Sequence, residues 1–440
     1  MLSKADNDLL TRTGPGTPMG GLLRRYWQPA ALSTELTSGG PAREVLLMGE
    51  ELVAYRNLDG SVGLLGRHCS HRAADLSYGR VEGGGLRCAY HGWLYDAAGN
   101  CLDQPAEPPD KRFCDKIHHL AYPCQEAAGI VWAYLGPGAA PPRPGFDWML
   151  APDDFVFSFK GYQECNWMQA HEGEIDPSHL SFLHRFFHDS ADEDAYGRQI
   201  LDAAEGTDVP VSRLLREQVA PSIEIESTAF GVRIYTVREV SDALRHVRVT
   251  NYLFPNSAVV AVSTDWGLLQ VHVPIDDEHN WRYDVMYSFR QPMDREGLLH
   301  DKLQLYTLPD YKPKRNRSNR YGFNLDEQQS TTYIGIGRDF NTHDTWATEG
   351  AGPIQDRTTE HLGSQDKAII ASRRMLLAAL KTIEQGGHPP MLDGGSVDYQ
   401  DLVTIDTVTP ADAWQTAWRD RHAARVAESP WATRAVKVEV

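Results

Sequence analysis

Arg67-His-Cys-Ser-His-Arg72 and Gly83-Gly-Gly-Leu-Arg-Cys-Ala-Tyr-His-Gly92 each offer one cysteine thiol and one histidine imidazole from a segment rich in turn-forming residues. Sixteen residues separate the two Cys/His pairs. The 6 cysteines in 440 residues are too few for a disulfide framework, and mixed donors at this short spacing are typical of a metal centre. The sequence therefore predicts two loops that bind one metal centre from two sides. The four donors are Cys69, His71, Cys88 and His91.

The mixture of donors indicates which metal centre this is. A Rieske [2Fe-2S] cluster takes two thiolates on one iron and two imidazoles on the other, so two loops that each give one of both kinds can hold it. A structural zinc ion remains the alternative, because zinc accepts two sulfur and two nitrogen ligands. Zinc modules usually pair Cys with Cys and His with His along the chain, which favours the cluster. The other cysteines lack ligand spacing, and we predict packed thiols at Cys101, Cys114, Cys124 and Cys165.

The chain around these loops is predicted to form two domains. Between Glu44 and Leu65, glycine and aspartate interrupt short apolar runs, the pattern of β-hairpins, so we expect an all-β N-terminal domain. The Pro/Gly-rich segment 136–145 follows a further strand candidate and marks the boundary. We therefore divide the chain into residues 1–145 and residues 146–440.

The second domain combines a sheet with helices. Strand-length apolar runs, several of alternating polarity, occur between Ile223 and Phe289 and predict a mostly antiparallel sheet. From Asp366 to Gln385 apolar residues recur at a helical period that ends at Gly386. We expect this long helix to pack on the sheet, which makes the chain an α+β protein.

A second group of metal-binding residue types lies in the segment 166–184, which contains Glu172, Asp176, His179 and His184. Fe(II) oxygenases commonly use two histidines and one carboxylate on one face of the metal. Two histidines five residues apart point about 140° apart on an ideal helix, so they converge only where the helix bulges, ends or kinks. Pro177 favours such an irregularity. The alternative is that both histidines are ordinary polar groups on an amphipathic helix.

These segments resemble the α (oxygenase) subunits of Rieske non-haem iron aromatic ring-hydroxylating oxygenases, from Leu9 to about Leu380. The family patterns are Cys-x-His followed by Cys-x-x-His-Gly-Trp, and Glu-x-x-x-Asp-x-x-His-x-x-x-x-His. Asn-Trp-x-Gln-x-x-Glu-Gly is similar to the phthalate dioxygenase branch. The resemblance implies that His179 and His184 bind a mononuclear Fe(2+). It also implies that Asp176 lies between His179 and His91 of a neighbouring subunit, which requires a homo-oligomer, a trimer or a dimer of trimers.

The third iron ligand is expected to be a distant carboxylate. Gly352-Pro-Ile-Gln-Asp-Arg357 resembles the Gly-Pro-Ile-x-Asp-Arg motif of the same branch, and we choose Asp356 on that ground. Its alternative role is that of a turn or helix-capping residue. Glu349, Glu360 and Asp366 remain further candidates for the ligand.

The resemblance implies an all-β Rieske domain followed by a helix-grip catalytic domain in the terminal oxygenase of a multicomponent system. Electrons would come from a separate NAD(P)H-dependent reductase, directly or through a ferredoxin, because the chain shows no nicotinamide or flavin fingerprint. With O2 the enzyme would cis-dihydroxylate or O-demethylate an aromatic acid or a methoxylated aromatic. Arg245 and Arg248 are candidates for binding a substrate carboxylate, with surface arginines as the alternative.

Other classes of protein are disfavoured to different degrees. A Rieske electron-transfer protein without oxygenase chemistry, and a zinc-stabilised ligand-binding protein, stay open as alternatives. A net charge of -17 disfavours nucleic acid and anionic membranes as partners. No apolar run approaches the about 18 residues of a membrane span, and the charged start does not resemble a secretory signal, so we expect a cytoplasmic protein.

Overall fold

The structure, a computed structural model, describes residues 1–189, 207–392, 394 and 397–432. The chain divides into two units. The smaller contains Arg12–Arg143 together with Val273–Asp277, and the larger contains Met1–Thr11, Pro144–His272 and Glu278–Val440. Among the helices of the described residues, none is both long and apolar enough to cross a membrane.

The smaller unit is built from short antiparallel strands, as its hairpin pattern predicts. Its sheets have the orders β1-β11-β10, β2-β3-β4-β9 and β5-β6-β7-β8. The one α-helix described in this unit is Pro18–Leu23, labelled α2. The strands are β1 (Gln28–Leu32), β2 (Arg43–Leu47), β3 (Glu50–Arg56), β4 (Val62–Gly66), β5 (Arg80–Glu82), β6 (Gly85–Arg87), β7 (Leu94–Tyr95), β8 (Cys101–Asp103), β9 (Ala121–Tyr122), β10 (Cys124–Ala127) and β11 (Ile130–Ala133).

The core of the smaller unit surrounds the two cysteines of the first motif. Cys69 and Cys88 are buried in one apolar cluster with side chains from β3, β4 and β7, including Val53, Leu65 and Tyr95. The first motif follows β4, and the second lies in the connection between β6 and β7. Both loops therefore start from strands whose positions the core fixes.

The larger unit contains an antiparallel sheet in the order β12-β18-β17-β16-β15-β14-β13, and β19 pairs with β15. The predicted sheet is confirmed, with further strands that the sequence did not indicate. The strands are β12 (Val156–Gln163), β13 (Ser222–Thr228), β14 (Gly231–Ser241), β15 (Leu244–Leu253), β16 (Ser257–Ala261), β17 (Trp266–Pro274), β18 (Asn280–Ser288) and β19 (Ile405–Pro410).

Helices cover this sheet and carry the second motif. The predicted long helix is present as Lys367–Glu384, and Gly386, with a φ of 78°, takes the left-handed conformation just beyond its end. It packs on β13 and β14, whereas the last helix packs on β15 and β19. The helices are α1 (Lys4–Thr11), α3 (Asp147–Leu150), α4 (Trp167–Glu174), α5 (Val211–Glu217), α6 (Arg295–Leu305), α7 (Leu325–Ser330), α8 (Phe340–Gly350), α9 (Lys367–Glu384) and α10 (Trp414–Glu428).

The first eleven residues belong to the larger unit, whereas the sequence assigned them to the N-terminal domain. The Leu2 amide donates to the Arg357 carbonyl at 3.1 Å. The Asn166 side chain donates to the carbonyl of Thr11 at 2.9 Å. These long-range hydrogen bonds hold α1 in the larger unit, and no local pattern in the sequence predicts them.

Candidate metal centres

The two Cys/His loops of the smaller unit share one backbone design. The Cys69 amide donates to the Ala74 carbonyl, and the Cys69 carbonyl accepts from Ala73. The second loop repeats this pattern with the same spacing, since the Cys88 amide donates to the Trp93 carbonyl and the Cys88 carbonyl accepts from Gly92. Ala73 and Gly92, each four residues after the cysteine, have positive φ values of 57° and 75°. The loops therefore turn in the same way and present their donors as a related pair.

The four donors of the two loops form one pair of thiols and one pair of imidazoles. The thiols of Cys69 and Cys88 are buried and hydrogen-bonded to each other. The imidazole rings of His71 and His91 lie side by side, with ring centroids 4.5 Å apart. A Rieske cluster needs this separation, with two thiolates for one iron and two imidazoles for the other. The donor set thus fits a [2Fe-2S] cluster.

The surroundings distinguish the two ends of this site. The hydrogen bond from Cys69, followed by those from the backbone amides of Tyr90 and His91, lowers the pKa of Cys88 to about 6. The Tyr95 hydroxyl lies 3.1 Å from the Cys69 sulfur. The His71 ring stacks on Trp93, and its Nδ1 is buried without a partner among the described residues. The hydrogen bond with Cys88, together with burial, raises the pKa of Cys69, so one of the two thiols ionises more readily than the other. The thiol end is buried, whereas both imidazoles are partly exposed.

The second motif forms a compact donor group in the larger unit. Helix α4 ends at Glu174, and a single 3-10 turn, His179–Ser181, replaces a continuous helix. The two imidazole Nε2 atoms of His179 and His184 therefore converge to 3.2 Å. Two metal–nitrogen bonds of about 2.0–2.1 Å at a right angle place their nitrogens about 3 Å apart. The histidine pair is spaced to share one metal ion.

The third member of this group is Asp344 of α8. Its Oδ1 lies 3.1 Å from the Nε2 atom of His184 and 3.7 Å from that of His179. The three donor atoms lie within 4.8 Å of one another. The residues form the arrangement of two histidines and one carboxylate that non-haem Fe(II) enzymes use. Burial raises the pKa of Asp344, so the carboxylate is costly to keep charged without a cation beside it.

Asp356, the predicted third ligand, is not a member of this donor group. The Asp356 carboxylate is exposed and accepts from the backbone amide and the hydroxyl of Thr358 at 3.0 and 2.6 Å, which is the turn-capping role. The other candidates are also engaged elsewhere. Glu349 accepts from the Tyr321 hydroxyl, Glu360 pairs with Arg373, and Asp366 accepts from the Gly363 amide.

A buried histidine that the sequence did not single out supports His184. The Nδ1 atoms of His184 and His343 are 3.1 Å apart, and Nε2 of His343 lies 2.9 Å from the carbonyl oxygen of Gly337. That carbonyl can only accept, so His343 is protonated on Nε2 and accepts on Nδ1 from the Nδ1–H of His184. This tautomer leaves Nε2 of His184 free to bind a metal. Burial lowers the pKa of His343 to about 4 and that of His184 well below its usual value, which keeps both rings neutral.

Asp176 lies at the edge of the same centre. One of its carboxylate oxygens accepts from the Ser178 amide at 2.7 Å, and the other is 3.8 Å from Nδ1 of His179. The side chain is 25% exposed, so part of the carboxylate remains open to solvent or to another chain. Nδ1 of His179 is buried without a hydrogen bond among the described residues.

The remaining predicted residues have structural positions. Glu172 is buried between Arg357 and Arg373, 2.8 Å from the first guanidinium and 2.6 Å from the second. Arg245 of β15 pairs with Glu239 of β14 at 3.0 Å, near the turn that joins these two strands. Arg248, in contrast, is mostly buried, with its guanidinium 3.5 Å from Asp406.

Comparisons with known proteins cover both units. A Rieske [2Fe-2S] domain model matches residues 26–121, and the model described as LigXa C-terminal domain like matches residues 133–438. The chain is 34% identical to the 3-chlorobenzoate-3,4-dioxygenase oxygenase subunit of Comamonas testosteroni, over 94% of this chain and 98% of that protein. It is also 34% identical to the phthalate 4,5-dioxygenase oxygenase subunit of Pseudomonas putida, over 88% of each chain.

A third relative and two solved structures extend the comparison. The 5,5'-dehydrodivanillate O-demethylase oxygenase subunit of a Sphingobium species is 33% identical, over 88% of this chain and 83% of that protein. The terminal oxygenase of carbazole 1,9a-dioxygenase from Nocardioides aromaticivorans has a similar fold, with a TM-score of 0.55 at 18% identity over 81% of this chain and 94% of that chain. An oxygenase solved in reduced complex with ferredoxin, also of carbazole 1,9a-dioxygenase, gives a TM-score of 0.52 at 21% identity, over 85% of this chain and 93% of that chain.

Proposed function

Because the chain belongs to the oxygenase subunits of the Rieske non-haem iron oxygenases, we propose that it hydroxylates an aromatic acid or a methoxylated aromatic as a terminal oxygenase. The reaction would be a cis-dihydroxylation or an O-demethylation, with electrons from an NAD(P)H-dependent reductase. The observation that carries the proposal is the convergence of His179, His184 and Asp344 on one point. A Rieske protein that only transfers electrons has no use for this second donor group.

We assign the ligands of the two centres by their donor types. Cys69 and Cys88 hold one iron of the [2Fe-2S] cluster, and His71 and His91 hold the other. His179, His184 and Asp344 hold the mononuclear iron. When bound, the two centres supply electron transfer and the reductive activation of O2.

The chain's own residues prepare the mononuclear site for this chemistry. A ligand set of two histidines and one carboxylate occupies one face of a metal and leaves positions for O2 and substrate. His343 fixes the tautomer of His184, and burial lowers the pKa of His184, which keeps this imidazole neutral as a ligand must be. The Phe340 ring lies with its centroid 4.5 Å from that of His184, so an apolar side chain packs against this imidazole.

We propose that Asp176 connects the two kinds of centre between neighbouring subunits. Its carboxylate is close to Nδ1 of His179 and keeps an exposed edge that can accept a hydrogen bond from His91 of the next subunit. A contact of this kind would make the homo-oligomer, a trimer or a dimer of trimers, part of the catalytic unit.

The partners of the chain follow from the division of a multicomponent oxygenase system into a reductase and a terminal oxygenase. The sequence shows no reductase fingerprint, and a protein of the same fold has been solved with a ferredoxin. We therefore propose a separate reductase that acts directly or through a ferredoxin, in the cytoplasm.

Metal content and turnover together test the proposal. Protein isolated with adequate iron should hold about three irons per chain and show the rhombic EPR signal of a reduced Rieske cluster. With a reductase and NADH, it should consume O2 and release a hydroxylated or demethylated product from a panel of aromatic acids and aryl ethers. Two irons per chain and no O2 uptake with any of these substrates would instead identify an electron carrier, and zinc without the EPR signal would identify a ligand-binding protein.

A further inference from the structure

Four charged or titratable side chains of the larger unit share one face of its sheet. In the antiparallel register, Arg238 is opposite His246, and Arg248 is opposite both Thr236 and Asp406. Directly opposite residues, and residues two apart on one strand, point to the same side of a sheet. Arg238, His246, Arg248 and Asp406 therefore form one polar cluster across β14, β15 and β19.

Arg238 is the unusual member of this cluster. Its side chain is 1% exposed, yet none of its three guanidinium nitrogens has a hydrogen-bond partner among the described residues. The carboxylate of the cluster, Asp406, has other partners, because it accepts from His246 at 2.6 Å and lies 3.5 Å from Arg248. A buried guanidinium without a partner is expensive, and such groups are normally paired.

Other polar atoms of the same face also lack partners. The hydroxyl of Thr236 and Nδ1 of His246 are buried and have no hydrogen bond to a described residue. Two guanidinium groups and one carboxylate leave the cluster with one positive charge in excess. The face thus offers several donors and an uncompensated positive charge, which together suit a small anion with two acceptor oxygens.

The cluster adjoins the mononuclear iron centre. Val408, two residues beyond Asp406 on β19, packs in one apolar group with Phe186, Leu180 and Phe340. Leu180 follows the ligand His179, and the Phe340 ring contacts His184. A flat apolar molecule anchored on the sheet face could therefore extend across these side chains towards the metal ligands.

We propose that Arg238, assisted by Arg248, binds the carboxylate of an aromatic acid substrate and directs its ring towards the iron centre. The inference rests on the proposed function and names the substrate class of that site. The two carboxylate oxygens accept from the free N–H groups of Arg238, and the Thr236 hydroxyl donates to the same anion. The enzyme then selects aromatic carboxylates over neutral aromatics of the same size.

The test compares an acid with its neutral ester on the full-length protein loaded with both irons. Benzoate and methyl benzoate are titrated by calorimetry, and the EPR signal of the nitric oxide adduct of the mononuclear iron reports whether each ligand reaches that site. Arg238→Met keeps the bulk of the side chain and removes its charge. We expect it to weaken benzoate binding by at least about tenfold and to leave methyl benzoate within about twofold.

Arg245→Met is the matched control, because Arg245 is on the same strand and already paired with Glu239. It should bind benzoate like the unmodified protein. Arg238→Lys retains the charge without the planar fork and should give an intermediate affinity. Asp406→Asn, which raises the excess positive charge from one to two, should tighten benzoate binding.

Thermal unfolding without ligand separates a binding role from a structural one. Because Arg238 has no partner to lose among the described residues, Arg238→Met should unfold at the same temperature or higher, whereas loss of a structural arginine lowers the unfolding temperature. The inference is overturned if Arg238→Met binds benzoate normally, if it loses acid and ester equally, or if the unmodified protein does not bind benzoate. The iron count and the Rieske EPR signal, measured on the same samples, show independently whether the proposed function itself fails.

Discussion

Asp344 reaches the two histidines from a distant helix, and its carboxylate, unlike those of the four candidates taken from the sequence, meets both imidazoles. Asp344→Asn should therefore lose the mononuclear iron and keep the cluster, since an amide is a much weaker ligand than a carboxylate. Iron per chain should fall by about one, with an unchanged Rieske EPR signal. Asp356→Asn is the matched control and should keep its iron, because that side chain only caps a turn. Iron loss in the control alone would restore Asp356 as the ligand.

His343 acts on the metal through another residue, so its removal should weaken metal binding without abolishing it. His343→Gln breaks the hydrogen bond that fixes the tautomer of His184 and should reduce affinity for the mononuclear metal by about 10–100-fold. Competition between the protein and a chelator for Co(II) measures this affinity directly. His300→Gln, on the exposed surface of α6, should leave it unchanged. An unchanged affinity in His343→Gln would show that the protein orients His184 by packing alone.

At the scale of elements, helix α4 is anchored by the buried carboxylate of Glu172 between two arginines. Burial would raise the pKa of Glu172, but Arg357 and Arg373 outweigh it and hold this pKa below its usual value. Glu172→Gln leaves the buried guanidinium of Arg357 without a carboxylate partner, whereas Arg373 keeps Glu360, and should cost about 3–5 kcal/mol of unfolding free energy. Glu217→Gln, which breaks the exposed pair with Arg213, should cost less than about 1 kcal/mol. A thermal or denaturant unfolding series compares the two variants.

The same ion group predicts a pH dependence of stability. Because the pKa of Glu172 is lower in the folded than in the unfolded protein, its contribution is complete above the unfolded value and is lost as pH falls through the folded value. The difference in stability between Glu172→Gln and the unmodified protein should therefore shrink under acid conditions. A constant difference down to acid pH would mean that the arginines need the shape of the side chain and not its charge.

Local sequence patterns predicted those elements whose side chains alternate or recur, and they failed where distant partners bury polar residues. The apolar runs around Val232 and Val247 predicted β14 and β15, and the helical period from Asp366 predicted α9. Strand β19 was missed because Asp406 and its threonine neighbours are polar and become buried only by pairing with β15. The two histidines of the donor group could be picked out because they lie five residues apart, whereas the place of Asp344 beside them depends on the packing of α8 against α4. A motif shows which donors are local, and only the fold shows which distant donor meets them.

At the scale of the whole molecule, the proposed role of Asp176 concerns communication between subunits. Asp176→Asn should leave both metal centres bound, because the carboxylate lies 3.8 Å from Nδ1 of His179 and is not a member of the donor group. It should slow reoxidation of the reduced cluster by O2 and substrate, followed by the cluster's absorbance in a stopped-flow instrument. Asp356→Asn again serves as the control, because it removes one exposed carboxylate that only caps a turn. Unimpaired reoxidation in Asp176→Asn would remove this residue from the electron path.

A mixing experiment decides whether electrons cross between chains. Cys88→Ser subunits should lack a working cluster and Asp344→Asn subunits the mononuclear iron, so each variant alone should be inactive. In a ring of identical head-to-tail contacts, one in four donor–acceptor interfaces of an equal mixture would join an intact cluster to an intact iron, and about a quarter of full activity should return. Mixing Cys88→Ser with the double variant Cys88→Ser, Asp344→Asn should restore nothing, because no cluster is available. If the first mixture also stays inactive although its subunits co-assemble, each chain passes electrons to its own iron, and the bridge from Asp176 to a neighbour's His91 does not carry them.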